Sequence, residues 1–353
     1  LFQAFEQQHM KEADLAICIP TYNQCKFLPR AVRSALNQNV RAKVIAIGDD
    51  ASTDETPQAM MDLLNTEPML EYHRNEVNLG IAGNNSKLMS LTKSEFVVRL
   101  DSDDLLEPQY IQTLLPLMQA HPTAGYGHAA ILQIDQNDEP IRHVHMNRRT
   151  GFQGPDEALK ESIKSYRVAA NIVIYRRQAL EQVKYFKSRP DYCEDYDMSA
   201  RLAAAGWGNV YSDEVLARYR IWTDNAGLRP RRKQQQLAGY CRIFDEVFQP
   251  AFAARQWTDK PLRRQRRHLA MVNSNVCFLP PHSAEETQRL VTLLRQLGGS
   301  RALELKLFLL QFGFAPIFER CYHARGRAKL SIKRMLARLR GGPLASSAQQ
   351  GGC

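Results

Sequence analysis

The residues best equipped for chemistry in this 353-residue chain are acids that follow short apolar runs. Leu15–Ile19 leads into Pro20-Thr21-Tyr22-Asn23, Lys43–Ile47 into Gly48-Asp49-Asp50, and Glu95–Leu100 into Asp101-Ser102-Asp103-Asp104. In an open α/β sheet, ligands gather outside the carboxyl ends of parallel strands. Three carboxylates within four residues repel one another unless something positive sits between them. A divalent cation bridging to a diphosphate is a natural occupant, because Mg2+ and Mn2+ take carboxylate and phosphate oxygens together. Taken alone, Asp101-x-Asp103 reads more readily as a solvated turn that caps a helix. A second acidic group, Glu194-Asp195-Tyr196-Asp197, falls in a helical segment. There Glu194 and Asp197 share a face and Asp195 points about 100° away, so only one set can look into a cleft.

These groups need elements to position them. Up to about residue 135, apolar runs near 15–19, 43–47, 69–73 and 95–100 alternate with helical periodicity at 27–36, from Thr53-Asp54 through Leu64, and at 84–91. Asp54 reads as the N-cap of the second helix. Strands alternating with helices of this length predict βαβ units, hence a mostly parallel sheet with helices on both faces. Residues 125–225 mix strand-like 126–134 and 168–175 with a helix near 195–205. From Arg229 onward the pattern is helical through Leu339. The expected organisation is a vector-derived 1–9 with Met10 as the native start, a catalytic domain at 10–228, a basic helical region at 229–340 and a disordered tail at 341–353.

Composition narrows the function classes. The net charge of +10 divides unevenly: residues 1–225 hold 24 Lys/Arg against 30 Asp/Glu, residues 226–353 hold 23 against 7. Such asymmetry points to a basic region that meets phosphate. Aromatics are not interleaved with the basic clusters, so nucleic acid is not the expected partner. Seven scattered cysteines have no C-x-x-C pair, which argues against zinc ribbons and disulfide frameworks. Free thiols in a reducing cytosol are the expected state. No run of about 18 apolar residues predicts a transmembrane helix, and no basic patch followed by an apolar stretch predicts a secretory signal. The G-x-G-x-x-G fingerprint, the P-loop, the G-x-S-x-G elbow and H-E-x-x-H are all missing, which removes support for dehydrogenase, NTPase, hydrolase and zinc-protease readings.

Five motifs occur in order: Ile19-Pro-Thr-Tyr-Asn23, Gly48-Asp-Asp-Ala-Ser-Thr-Asp54, Asn78-Leu-Gly80 with Asn84, Arg99-Leu-Asp-Ser-Asp-Asp104, and Glu194-Asp-Tyr-Asp-Met198 with Arg201, Leu202 and Gly206. Over roughly residues 14–222 the chain resembles the family 2, GT-A type, inverting glycosyltransferases of bacterial cell-surface glycan synthesis. The resemblance implies a Rossmann-like GT-A fold and a nucleotide-sugar donor, with uridine the preferred base. Pro20 and Tyr22 would line the base pocket and Asp50 would accept a hydrogen bond from the base. Asn84 would belong to the donor site, Asp101 would contact the ribose or donor sugar, and Asp103 with Asp101 would hold Mn2+ or Mg2+ on the diphosphate. Asp195 would be the general base, with Asp197 the second choice. The expected acceptor is a hydroxyl of a membrane-presented glycan, lipopolysaccharide or lipid-linked species. The expected location is cytoplasmic, with attachment to the cytoplasmic face of the inner membrane left open.

The chemistry suits these residue types. A cation neutralises the departing diphosphate, a carboxylate deprotonates the incoming hydroxyl, and a single in-line displacement inverts the anomeric carbon. The chain departs from the family at Tyr219-Arg-Ile-Trp222, where many relatives carry His in place of Trp222. His128, His143 and His145 are candidate replacements as metal ligands. The basic clusters are 229–233, 263–267 and 320–340, the last with eight Lys/Arg and no acid. With the apolar stretch 307–318, residues 307–340 form an amphipathic basic segment suited equally to an anionic membrane surface or to packing on the protein. Alternatives to the membrane-acceptor enzyme are a transferase for soluble or protein acceptors, with basic helices used for oligomerisation, and a nucleotide-sugar-binding protein without turnover.

Overall fold

A computed structural model describes residues 12–165, 168–222, 232–278 and 282–312. The chain divides into two compact units after Leu262. The first opens with strands β1 (Glu12–Thr21), β2 (Arg41–Asp49), β3 (Leu70–Arg74) and β4 (Phe96–Arg99), all parallel, in the order β3-β2-β1-β4. Helices α1 (Leu28–Leu36), α2 (Thr56–Thr66) and α3 (Gly80–Leu91) connect them. The strands read as near-continuous apolar runs because both faces are covered. Leu15, Ile17 and Ile19 enter one core with Leu28 and Val32, while Cys18 and Ala46 enter the other with Leu88 and Met89.

The second half of the sheet is mixed in direction. Short β5 (Leu105–Leu106), α4 (Tyr110–Ala120), β6 (Ala124–Ile134), β7 (Pro140–Val144), β8 (Gly151–Gln153) and α5 (Pro155–Ser162) precede β9 (Val173–Arg176). β9 slots between β4 and β6, antiparallel to both. α6 (Arg177–Val183) and α7 (Glu194–Ala204) lead to the long β10 (Gly208–Arg220), parallel to β6, while β5 and β8 pair with β10 and β7 with β6, all antiparallel. Periodicity reports burial and not direction, so this inserted strand is invisible in the sequence. The second helix also starts later than expected: α2 begins at Thr56 with Glu55 at the N-cap position. Asp54 instead accepts from the Thr56 N–H at 3.0 Å and from the Cys25 N–H at 3.2 Å, tying two loops together.

Helix α8 (Lys233–Ile243) passes through a π-helical turn (Phe244–Phe248) into α9 (Gln249–Ala254). Pro250 has no N–H to give an upstream carbonyl, and a wider turn accommodates that loss. This segment packs on α7 within the first unit: Tyr196 meets Tyr240 and Phe248 at ring-centroid distances of 6.1 and 5.9 Å.

α10 (Lys260–Asn273) carries the chain into the second unit, which continues with α11 (Ala284–Gly298) and α12 (Arg301–Gln311). Ser283 and Glu286 form a reciprocal capping box at the start of α11. At its other end, Arg266 donates to the carbonyls of Leu297 at 2.7 Å and Gln296 at 3.0 Å, placing one cation of the 263–267 cluster on a helix C-terminus. No helix among the described residues is long and apolar enough to cross a membrane. The expectations for 1–9, 313–340 and the tail 341–353 lie outside the described residues.

Candidate active site

The ends of β1 and β2 are joined before any ligand is considered. Asn23, in the left-handed region at φ 53°, accepts the Thr53 N–H at 2.8 Å through its side-chain oxygen. Its own N–H donates to Ser52 Oγ at 2.9 Å. Asn tolerates this backbone better than most residues. Pro20 is half-buried at the strand end and Tyr22 is 46% exposed beside it. Asp49 is buried and accepts from Tyr72 Oη at 2.5 Å, Arg74 Nη1 at 3.1 Å and the Ser52 N–H at 2.9 Å.

Asp50 is also committed. Its Oδ1 accepts from Asn75 Nδ2 and the Leu79 N–H, both at 2.8 Å, and its Oδ2 from the Gly80 N–H at 2.9 Å. A carboxylate offers about four acceptor positions, so about one remains for a ligand. Gly80 takes φ 74°, which a residue with a Cβ rarely adopts. Asn84 is buried, donating to the Gly48 carbonyl at 2.7 Å and accepting from Asn75 at 3.0 Å. Asp50 and Asn84 therefore hold the 75–80 turn against the β2 end.

The end of β4 carries a residue that the motif contained without revealing its task. Arg99, only 2% exposed, donates Nε–H to Asp101 Oδ1 at 2.8 Å and Nη2–H to Oδ2 at 3.1 Å, and its Nη1 bonds Asp195 Oδ1. Burial alone would push the guanidinium towards neutrality, but Asp101 and Asp195 outweigh it and keep it a cation. One buried arginine thus joins the acid after β4 to the acid at the start of α7. Asp195 is raised above the usual carboxylate range, chiefly by burial; Arg99 opposes the rise and Asp101 adds to it. Neighbouring Glu194 is raised for similar reasons, burial first and then Asp195.

Asp197 lies on the other side of the same helix. It accepts from Arg201 Nε at 2.5 Å and Arg242 Nη1 at 2.6 Å, and Arg242 Nε reaches Asp191 at 2.7 Å. Burial would raise Asp197, but the two arginines hold it below its ordinary value. A cavity of about 430 Å³ lies on this side, lined by Val183, Asp197, Arg201, Arg242, Glu246 and Ala251 among others. The structure brings Asp101 and Asp195 together and leaves Asp197 in a separate ion-pair network.

Asp103 keeps different company. Trp222 Nε1–H donates to its Oδ2 at 2.6 Å, and burial raises its pKa although this bond opposes the rise. Asp104 accepts the Arg220 N–H through Oδ1 at 2.8 Å, while its buried Oδ2 has no hydrogen-bond partner. Burial, then Asp103 and Asp101, raise Asp104 well above the carboxylate range, against the Arg220 N–H and guanidinium. The histidines lie elsewhere in the packing: His128 is buried against Tyr211 at 5.0 Å between ring centroids, and exposed His145 meets Asp213 at 2.8 Å, with His143 beside it. Among the described residues, no three His, Cys, Asp or Glu side chains converge on one metal position.

Comparison with known proteins fits this geometry. The family profile described as glycosyl transferase family 2 matches residues 16–184. Residues 16–184 belong to glycosyl transferase family 2. The domain is 28% identical over 202 residues to a hyaluronan synthase of Pasteurella multocida, a match covering 57% of this chain and 20% of that protein. The chain therefore spans about a fifth of that relative's length. Among solved structures, S. aureus TarS 1–349 in complex with UDP superposes with a TM-score of 0.60 at 18% identity, covering 82% of this chain and 80% of that one. The mannosyltransferase PcManGT from Pyrobaculum calidifontis, in complex with GDP-Man and Mn2+, gives 0.56 at 16% identity over 92% of this chain and 88% of that one. These likenesses establish a GT-A fold for the chain.

Arg99 and Arg242 are the residues that sequence reasoning passed over, and Trp222 was legible there only as a missing histidine. Arg99 had a signal, since a cation within the apolar run Phe96-Val-Val-Arg-Leu100 must be paired. Arg242 had none, because its partners lie 45 and 51 residues away.

Proposed function

We propose that the chain catalyses inverting transfer of a sugar from a nucleoside-diphosphate sugar, preferably a UDP-sugar, to a hydroxyl of a membrane-presented glycan or lipid-linked acceptor. The observation that carries this reading is Arg99, which ties Asp101 and Asp195 into one cluster at the strand ends. Asp195, with its basicity raised by burial, takes the proton of the attacking hydroxyl. Arg99 keeps that carboxylate oriented and ionised before the attack. Pro20 and Tyr22 flank the base, Asp50 and Asn84 hold the loop beneath it, and Asp101 faces the ribose or donor sugar.

Hard oxygen donors at the end of β4 suit a divalent cation, Mn2+ or Mg2+. Asp103, whose Oδ1 lies outside the Trp222 bond, and Asp101 would hold it. When bound, it neutralises charge on the leaving diphosphate. The Mn2+ complex of PcManGT supports this assignment, as the UDP complex of TarS supports the uridine preference. A polysaccharide synthase among the relatives supports a glycan acceptor.

Docking on the cytoplasmic face of an anionic membrane through residues 307–340 is part of the same reading. Leu305, Phe308 and Phe312 of the α12 region are 60, 56 and 65% exposed, supporting an apolar face just before the basic segment. Flotation with anionic liposomes tests it: the full chain should bind, and a chain ending near 312 should not.

Donor hydrolysis with metal titration tests the enzyme reading. Nucleotide release that rises with Mn2+ or Mg2+ supports it. Tight nucleotide-sugar binding without release would favour a binding protein instead.

A further inference from the structure

The loop that leads into α7 carries an aromatic ring three residues before Asp195. Tyr192 is 46% exposed and takes φ 49°, in the left-handed region. That backbone is costly for a residue with a Cβ, and glycine or asparagine would adopt it more easily. The residues on either side are buried and fixed. Asp191 accepts the Cys193 N–H at 3.1 Å through Oδ1 and Arg242 Nε–H at 2.7 Å through Oδ2. Cys193 donates Sγ–H to the Gln236 carbonyl at 3.6 Å. It also sits so close to Gly239 that a Cβ there would lie 2.7 Å from its Sγ. The chain is pinned on both sides of Tyr192 while its ring stays at the surface.

The ring is held too. The Arg232 guanidinium lies over it, 4.5 Å from the centroid, so a cation fixes the plane from one face. Tyr192 gains little burial, occupies an unfavourable backbone and is clamped by its neighbours; strained positions of this kind gather where ligands are gripped. Tyr22, the aromatic assigned to the nucleotide base, follows the end of β1. Tyr192 stands instead beside the residue assigned to the acceptor hydroxyl. A pyranose has an apolar face of C–H groups that lies flat on an aromatic ring while its hydroxyls stay in water. Tyrosine suits such a ligand, with a flat apolar body, a polar tip and few torsions to immobilise.

We propose that Tyr192 is a specificity-determining residue that stacks on a pyranose ring of the acceptor, favouring a sugar hydroxyl over an acyclic alcohol as the attacking group. The inference rests on the assignment of Asp195 as the general base.

Saturation-transfer NMR on the full chain, with UDP and Mn2+ present, tests it. The probes are the methyl glycosides of glucose, galactose, N-acetylglucosamine and N-acetylgalactosamine, with glycerol and glycerol 3-phosphate as acyclic controls. At least one pyranoside should bind more tightly than both controls, and Tyr192→Ala should weaken that binding about five- to tenfold. Tyr192→Leu, apolar and bulky but without an aromatic face, should lose as much, which keeps the test valid if the alanine variant fails to fold. Tyr192→Phe should retain the binding. No preference for pyranosides over the controls, or wild-type pyranoside binding in Tyr192→Ala and Tyr192→Leu, overturns the proposal. An equal loss in Tyr192→Phe would assign the contact to the phenol hydroxyl and overturn stacking. Nucleotide release from UDP-glucose and UDP-N-acetylglucosamine by the wild type is scored in parallel. Its absence would count against the enzyme reading, while the pyranoside comparison still judges the platform.

Discussion

Asp195 and Asp197 sit two residues apart on α7 and have opposite environments. Asp195 shares a single arginine with Asp101, and burial leaves it more basic than an ordinary carboxylate. Asp197 pairs with two arginines, Arg201 and Arg242, the second shared with Asp191, and is held less basic than usual. Two cations on one acid favour a permanent ion pair, suited to fixing a helix. One cation shared between two acids leaves negative charge unbalanced, as the proposed role of Asp195 as proton acceptor requires. On the proposed mechanism, the comparison separates a side of the helix that would react from a side that anchors.

The largest expected effect comes from breaking the reactive side at its centre. Arg99→Met leaves two half-buried carboxylates without their shared cation and should lower the urea midpoint, together with most of the transfer activity. Arg99→Lys keeps the charge without the fork, so it should recover stability more than turnover. Arg242→Met breaks the anchoring side instead. It should cost about 3 kcal/mol, while turnover of the folded fraction stays within a few-fold of wild type.

The pH profiles should separate the two sides as well. Asp195 must be ionised to act, and its pKa is raised. The acid limb of kcat/KM should therefore lie above about pH 4, where an ordinary carboxylate titrates. Asp197 has a depressed pKa, so its contribution to stability is full above the unfolded value. That contribution is lost only as pH falls through the lower folded value. Acid should thus silence turnover before it dissolves the Asp197 anchor. The smallest effect belongs to Glu194→Gln: removing a like charge beside Asp195 should move the acid limb downward by a few tenths of a pH unit.

Much of this arrangement is legible in the sequence, and the gaps have physical causes. The first four strands and the acids at their ends follow from apolar runs bounded by polar turns. The reversal of β9 does not, since Val173–Arg176 is equally apolar in either direction. Helical geometry alone separates Asp195 from Asp197 but cannot say which side faces the strand ends. That depends on Arg99, 96 residues before Asp195, and on Arg242, 45 residues after Asp197. Trp222 is visible as a missing imidazole, while its bond to Asp103 across 119 residues needs the sheet to be built.

One paired measurement tests the central claim most directly: transfer rate, UDP-sugar affinity and unfolding temperature for Asp195→Asn and Asp197→Asn side by side. Loss of a positioned general base costs about 10²–10⁴ in rate. Asp195→Asn should show that loss with donor binding retained and an unfolding temperature no lower than wild type. Asp197→Asn should unfold several degrees earlier while its folded fraction still turns over. Wild-type turnover in Asp195→Asn, or loss of turnover without loss of stability in Asp197→Asn, would contradict the division of α7 into a reacting side and an anchoring side.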